Sequence, residues 1–570
     1  MNKKAISIGI EDYKKIMDKP YYYVDKTLLI KDLLDKGAQV SLFTRPRRFG
    51  KTLALSMLKT FFEQEMDNQG NIQDNSRYFD GMKIANAGTN YMNHMGQYPV
   101  ISLSLKSARQ PDFDMAYQCM VQEIAYEYDR HRYVLSGDKL SDSEKSIYSI
   151  LMDRKGNRAQ YATSLKFLAE CLKKYHGFNT IILLDEYDVP LENAYFRGFY
   201  DKMIDFLRSL FESALKTNPS LEFAVITGCL RISRESIFTG LNNLEVISVL
   251  SERYSEYFGF TEAEVMEMLK SYELLDKAVE VKSWYDGYLY GGIEVYNPWS
   301  VINYVKTGIS SKTAFPKPYW SNTSSNSIVR DLIDGADLDV KKEIEELIAG
   351  KTIEKPVHED ITYEDIHKSQ DNLWNFLFFT GYLKATDQRL DVDTVYVMMQ
   401  IPNEEIRYIY RNSIKEWLEH KLKATDLTQL YKAVLTGDCE TFASQVNKQL
   451  SETISYYDYA ENYYHGFLCG LLKGCSQYVT LSNRESGTGR PDIVLAYPSA
   501  RGPVIILGLK VANNFQGLEA GCDEALEQIE KQDYAAYWRN EGYTDITKYG
   551  VCFYKKECMV KKSTDYIFDR

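Results

Sequence analysis

Several things are scarce in this chain of 570 residues. No apolar run approaches the roughly 18 residues that span a bilayer, which argues against a membrane protein. The first ten residues hold two lysines but no long apolar core, so a secretory signal is not expected. The nine cysteines are odd in number and none forms a C-x-x-C pair. Reduced, structural thiols in a cytoplasmic protein are the expectation. The seven histidines show no H-E-x-x-H or related spacing, so a structural zinc site is not expected. Net positive charge is also missing: the balance is −12, which excludes a broad nonspecific coat of nucleic acid but leaves room for a local basic groove. No Pro/Ser-rich linker, internal repeat or low-complexity tract separates the chain into beads, so its domains are expected to pack together.

What is present is ordinary for a globular protein: 44% hydrophobic and 26% charged residues. At about 150 residues per domain, the length implies three or four units. The central stretch is Val40-Ser41-Leu42-Phe43-Thr44-Arg45-Pro46-Arg47-Arg48-Phe49-Gly50-Lys51-Thr52. It reads as a short apolar strand, a tight basic turn, and Gly-Lys-Thr opening a helix to Phe62. That is the layout of a phosphate-binding loop. Backbone N–H groups at a helix start face an anion, the lysine reaches the outer phosphates, and the threonine hydroxyl sits on Mg²⁺. Arg45, Arg48, Gly50, Lys51 and Thr52 are therefore the candidate nucleotide-binding residues here. The usual G-x-x-x-x-G-K-[ST] spacing places glycine at position 45, and this chain has Arg45.

Before the loop, residues 1–34 read as a lead-in with a short helix near Tyr13 to Met17. After it, residues 60–95 read as helical and polar, and Pro99 to Leu105 as a strand. A helical region follows from Asp112 to Tyr175. Asn179 to Leu184 is a continuous apolar run, as in a strand buried on both faces of a parallel sheet. It ends in Asp185-Glu186-Tyr187-Asp188. Ligands in open α/β sheets sit beyond the carboxyl ends of strands. There, the acidic pair Asp185 and Glu186 would hold Mg²⁺ through its water shell and polarise an attacking water. The plainer alternative is a helix cap. Leu221 to Gly228 is a third buried strand. Beyond it, Arg231 either contacts the γ-phosphate or pairs with Glu235.

Residues 310–400 form an intermediate region, with an amphipathic helix at Lys341 to Ile348 and a strongly apolar core stretch from Leu373 to Leu383. Glu404 to Gly474 reads as successive helices. Then Pro491-Asp492-Ile493-Val494-Leu495-Ala496 and Pro503 to Lys510 form a hairpin with Asp492 and Lys510 at the same end. A helix follows with Leu518, Cys522, Ala525, Leu526 and Ile529 on one face, then Gln528 and Tyr534. Two carboxylates around Mg²⁺ and a lysine that orients water would cleave a phosphodiester. The order resembles that of PD-(D/E)XK nucleases, a resemblance that implies a second carboxylate two residues before Lys510, where Gly508 stands. Glu461 or Glu485 could take its place, with Glu461 the better partner for Asp492.

Together, R-P-R-R-F-G-K-T, I-I-L-L-D-E-Y-D, T-G-C-L-R-I-S-R-E-S-I-F-T-G-L-N-N-L, W-Y-D-G-Y and Y-N-P-W-S resemble the prokaryotic AAA-ATPase-like family. Its members carry a C-terminal PD-(D/E)XK nuclease-like domain, and N-L-W-N-F-L-F-F-T-G-Y-L near Asn372 continues the likeness. The resemblance implies an α/β protein: a P-loop domain with a helix-flanked parallel sheet over 1–275, a helical connecting region over 276–400, and a restriction-endonuclease-like domain over 401–570. It implies ATP and Mg²⁺ as cofactors. Lys51, Thr52, Asp185, Glu186 and Arg231 match its nucleotide motifs, Arg231 without a derived role. Thr52, Asp185, Asp492 and Glu461 are the implied metal ligands. Glu186, Asp492, Lys510 and Gln528 are the implied catalytic groups. Arg45 agrees with that family's loop, and Gln532 stands where lysine is implied. ATPases of this type complete their site with a neighbour's arginine, so a homo-oligomer is implied, and DNA or RNA as partner. The functional expectation is an ATP-binding and hydrolysing protein coupled to a Mg²⁺-dependent nuclease, with defence against foreign DNA as its setting by analogy. The alternatives are an ATP-dependent switch that binds nucleic acid or protein without cleavage, and an interaction protein in which neither site turns over.

Overall fold

The computed structural model describes residues 4–36, 38–67, 70–230, 237–238, 241–311, 313–321, 338–358, 369–424, 426–452, 461–475, 477–482 and 491–566. The chain divides into two compact units. The first is Met1–Ser325 with Thr352–Ile409, and the second is Asn326–Lys351 with Tyr410–Arg570. The expected connecting region contributes to both.

The first unit is built on strands β1 (Val40–Thr44), β2 (Val100–Ser104), β3 (Thr180–Asp185), β4 (Leu221–Gly228) and β5 (Leu244–Ile247). They form one parallel sheet in the order β2-β3-β4-β1-β5. β1 and β3 are buried at every position, as their unbroken apolar runs require of a sheet covered on both faces. The register sets Leu42 opposite Ile226, and Leu184 opposite Ile226 from the other side. β1 therefore ends beside β4 and near the end of β3, and all three deliver their following residues to one edge. The helix Lys51–Phe62 packs Met57, Leu58 and Phe61 against that sheet through Phe43, Ile181 and Leu183.

Residues 60–95 differ from the expected polar helix. The helix stops at Phe62, and the chain continues through 3₁₀ turns at Ser76–Phe79 and Lys83–Asn86. Phe61, Phe62, Phe79 and Ile84 are buried in the core. β5 was not legible either: four residues carrying Glu245 at an edge give almost no periodic signal. The middle of the chain is helical as expected, with helices at Ala278–Tyr285, Pro298–Ser310 and Gln370–Phe379, and the expected amphipathic helix at Lys341 to Ile348 runs over Leu338–Ile348. It also holds a ribbon of β6 (Tyr288–Tyr290) and β7 (Ile293–Val295) and an antiparallel sheet of β8 (Ile353–Val357), β9 (Lys384–Asp391) and β10 (Thr394–Gln400).

The helix Glu404–Ala424 carries the chain from the first unit to the second. There β11 (Val479–Ser482), β12 (Ile493–Ala496), β13 (Val504–Val511), β14 (Asp545–Tyr554) and β15 (Glu557–Tyr566) form a mixed sheet in sequence order. β12 and β13 are the expected antiparallel hairpin. β13 and β14 run parallel, which demands a crossover, and the helix Leu518–Lys531 supplies it. Helices Thr428–Thr436, Cys439–Glu452 and Glu461–Leu472 contribute to a core with Ile493, Leu495, Leu507 and Leu509.

Candidate nucleotide and nuclease-like sites

At the end of β1 the Arg45 N–H still bonds the Gly228 carbonyl, at 3.1 Å, so the turn is anchored to β4 before it leaves the sheet. Arg48 (φ 71°) and Gly50 (φ 82°) then reverse the chain into the helix Lys51–Phe62. Both lie in the left-handed region, which glycine enters without strain and arginine does not.

Arg45 does not face a ligand. Its guanidinium is fully buried behind the turn, where Nη1 donates to the carbonyls of Thr44 (2.9 Å) and Ile247 (3.0 Å). The group lies 4.8 Å from the centre of the Tyr290 ring, and burial pushes its pKa down to about 10. Arg45, expected among the nucleotide-binding residues, thus ties β1 to β5 and backs the turn and is not among the residues that line the cavity. Lys51 is buried as well. Its Nζ donates to the carbonyls of Arg45 and Pro46, at 2.8 Å each, so the lysine folds back on its own loop.

Thr52 and Asp185 are brought together. The Thr52 hydroxyl donates to Asp185 Oδ2 at 2.7 Å, and Thr227, on β4, donates to Oδ1 at 2.5 Å. Glu186 follows at φ 51°, a strained value that turns its side chain toward the cavity. Burial, and then the Asp185 charge, push the Glu186 carboxyl above the usual range; Lys51 and Lys106 oppose the shift. Tyr187 and Asp188 are structural. The Tyr187 hydroxyl donates to the Leu230 carbonyl at 2.7 Å, and Asp188 Oδ2 accepts the N–H groups of Cys229 and Leu230 at 2.7 and 3.0 Å. They clamp the end of β4, where a Cβ on Gly228 would stand 2.5 Å from the Tyr187 ring. Arg231 lies outside the described residues.

A cavity of about 410 Å³ opens onto this edge. Its lining combines cationic side chains, Arg47, Arg48, Lys51, Lys106 and Arg109, with Glu186 among them, and apolar ones, among them Ile6, Ile8, Ile10, Tyr22, Phe260 and Ile302. Sequence reasoning missed the lead-in residues, Lys106 and Arg109. The only available signal was the basic pair just beyond β2, at the carboxyl end of a strand.

In the second unit, Asp492 stands one residue before β12, beyond the Ile493–Leu507 pair, so it meets β13 at Gly508 and Leu509. Its Oδ2 accepts the Leu509 N–H at 2.8 Å. The Asp492 carbonyl and Ser482 Oγ both lie within hydrogen-bond distance of His465 Nε2, at 2.8 and 3.0 Å. A carbonyl only accepts, so that nitrogen carries the proton. His465 was missed because nothing in its spacing marks it. Lys510, two residues past Gly508, pairs with Cys552 of β14. Gln528 is on the crossover helix and donates to the Tyr534 hydroxyl at 3.2 Å. Glu461 opens the helix Glu461–Leu472, but its side chain, like all of Glu485, is outside the described residues.

Gly508 has a packing role. A Cβ there would stand 3.1 Å from the Ala525 carbonyl oxygen and 3.2 Å from Ile529 Cδ1. The same helix closes on Gly550, whose Cβ would meet the Cys522 oxygen at 2.2 Å. The crossover helix is seated on glycines, closer to the sheet than side chains allow. Among the described residues no group of three or more His, Cys, Asp or Glu is placed to hold a metal ion, and no helix is long and apolar enough to cross a membrane.

Comparison with known proteins agrees with this division. Residues 7–238 match the family described as "Predicted AAA-ATPase", and residues 459–563 match the "PD-(D/E)XK nuclease superfamily". A curated relative, the "Uncharacterized protein in vnfD 5'region" of Azotobacter chroococcum mcd 1, is 30% identical over 340 residues. That match covers 58% of this chain and 57% of the relative. The chain therefore joins an AAA-ATPase-like region, built around the Lys51 loop, to a PD-(D/E)XK nuclease superfamily region built around the Asp492 hairpin.

Proposed function

We propose that the first unit binds Mg²⁺-ATP in the 410 Å³ cavity and hydrolyses it, and that the second engages nucleic acid. The observation that carries the reading is the Thr52–Asp185 contact of 2.7 Å beside a raised Glu186. A hydroxyl and a carboxylate that share a proton at a helix start form the usual seat for a phosphate-bound Mg²⁺. The ion would neutralise charge on the transferring phosphoryl group. Lys51 would leave the carbonyls of Arg45 and Pro46 for the outer phosphates, and Glu186 would accept a proton from the attacking water. The apolar lining of the cavity, Ile6, Ile8 and Ile10 among it, suits a nucleobase.

Lys51→Ala tests this. Isothermal titration should show nucleotide binding in the natural chain and at least a hundredfold loss in the variant. Equal ATP affinity in both would count heavily against the loop.

For the second unit, Gly508 favours the reading in which nucleic acid is held without efficient cleavage. A PD-(D/E)XK site needs two carboxylates to share the metal, and the position paired with Lys510 supplies none. Plasmid, linear DNA and RNA should be bound, and left intact in Mg²⁺ or Mn²⁺. Rapid cleavage by the natural chain would overturn the non-cleaving reading. Absence of binding to all three would remove the nucleic-acid claim itself.

A further inference from the structure

The turn Pro46-Arg47-Arg48 is gripped by residues from later segments of the chain. Pro46 packs on Gly381, where a Cβ would stand 2.8 Å from the proline Cγ. The Arg47 carbonyl accepts the indole N–H of Trp320 at 3.2 Å. The Arg48 guanidinium lies 4.3 Å from the centre of the Trp299 ring. Three consecutive loop residues are each engaged by a different later segment of the chain.

Two of those segments converge on Glu405. The Trp320 backbone N–H donates to Glu405 Oε1 at 2.8 Å. The hydroxyl of Ser300, next to Trp299, lies 3.0 and 2.8 Å from the two carboxylate oxygens. Trp320, Ser300 and Glu405 are buried. Glu405 sits in the first turn of the helix Glu404–Ala424, where the helix dipole favours an anion. Even so, burial pushes its carboxyl up to about 7. A buried acid with these donors is costly to keep unless the geometry it fixes matters.

The geometry it fixes is the loop's. In this structure Lys51 Nζ occupies the carbonyls of Arg45 and Pro46. A lysine drawn to a triphosphate gives those two up. Of these three hydrogen bonds to the loop's carbonyls, the one from Trp320 to Arg47 does not depend on the lysine. We propose that Trp320, anchored by Glu405, is a positioning residue that holds the phosphate-binding loop in shape while Lys51 moves from the loop to the phosphates. The proposal rests on the nucleotide reading above. It also accounts for two sequence motifs without an earlier role. In W-Y-D-G-Y, Tyr288 sets its ring against Phe49 at 4.9 Å, and the Asp286 carbonyl accepts from Asn403 at 2.7 Å, two residues before Glu405. In F-F-T-G-Y-L, Gly381 seats Pro46 and Tyr382 packs on Trp320 at 5.0 Å.

The test is titration of the full chain with Mg²⁺-ATP, Mg²⁺-ADP and adenosine. Trp320→Phe keeps an aromatic ring, though a smaller one, and removes the N–H. It should weaken ATP and ADP by about three- to tenfold, the worth of one hydrogen bond, and leave adenosine unchanged. Glu405→Gln should weaken both nucleotides as well, and the double variant should be no worse than the worse single one, because the two act in series. Unchanged ATP affinity in Trp320→Phe, or an equal loss for adenosine, would overturn the proposal. If Trp320→Phe does not fold, Ser300→Ala carries the same test with a smaller volume change and an expected loss of about two- to threefold. Lys51→Ala separates the two readings. If it loses ATP while Trp320→Phe binds like the natural chain, only the positioning role falls. If the natural chain itself does not bind ATP, both fall.

Discussion

Asp185 and Asp492 each mark the edge of a buried sheet, and the two units surround them differently. Asp185 receives hydroxyls from two separate elements, Thr52 at 2.7 Å and Thr227 at 2.5 Å, and the next residue adds a second carboxylate at the cavity wall. Asp492 receives a main-chain N–H from Leu509 at 2.8 Å, and the strand position beside it is a glycine under a helix. The first arrangement separates two acids by environment: one is hydrogen-bonded, and the other is lifted toward protonation by burial. The proposed metal-holding role of Asp185 and proton-accepting role of Glu186 rest on that separation. The second arrangement sets a helix against the strand position where a carboxylate was expected. Similar strand-end placement therefore does not imply similar chemistry.

The largest expected effect lies in the first unit. Glu186→Gln keeps the size of the side chain and removes the proton acceptor. Turnover of ATP should fall by about 10² to 10⁴, the usual worth of a general base, while ATP affinity is unchanged or tighter. Steady-state hydrolysis together with titration measures both. Unchanged turnover would erase the contrast between the two acids of the first unit.

A pH series sharpens the same point. Glu186 must be ionised to accept a proton, and its folded pKa lies above the usual glutamate value. The rate should therefore decline on acidification from a higher pH than an ordinary carboxylate would give, since protonation begins sooner. An acid limb confined to the ordinary glutamate range would mean that burial is relieved when nucleotide binds.

Much of this was legible in the chain itself. β1, β3 and β4 announced themselves as largely apolar runs, and the Gly-Lys-Thr and Asp-Glu segments fell at the carboxyl ends of β1 and β3, as a parallel sheet requires. The hairpin of β12 and β13 followed from two apolar stretches around a turn. What stayed hidden depends on long-range contact. Arg45 reads as a basic loop residue, but only the position of Ile247, 202 residues later, makes it a buried tie. Trp320 carries no periodic signal, and its partner is 273 residues away. Nor can spacing show that Ile6 to Ile10 border the cavity.

In the second unit, Gly550→Ala tests whether the glycine seat is structural. The new methyl would meet the backbone oxygen of Cys522 at 2.2 Å, and a backbone atom cannot rotate away. A loss of about 1–3 kcal/mol is expected from overpacking, read as a lowered urea midpoint of this unit. Nucleotide affinity should not change, because Gly550 belongs to the other unit. A silent substitution would show that the helix sits further from the sheet in solution.

Gly508→Ala should have the smallest effect, and its sign separates two accounts of the missing carboxylate. A Cβ at 508 meets the Ala525 oxygen at 3.1 Å and Ile529 side-chain carbons at 3.2 and 3.3 Å. Ile529 can turn aside, but the carbonyl cannot. Against this, replacing glycine inside a strand recovers about 0.5–1 kcal/mol of chain entropy. If the helix has settled into the space of the lost side chain, crowding prevails and the melting point should drop by about 1–3 °C. Gly508→Glu would then lose stability too, and metal-dependent cleavage should not return, because the Ala525 carbonyl still stands in the way. If the alanine variant instead melts higher, the helix has not closed, the space of a carboxylate is still open, and Gly508→Glu alone should cut DNA or RNA.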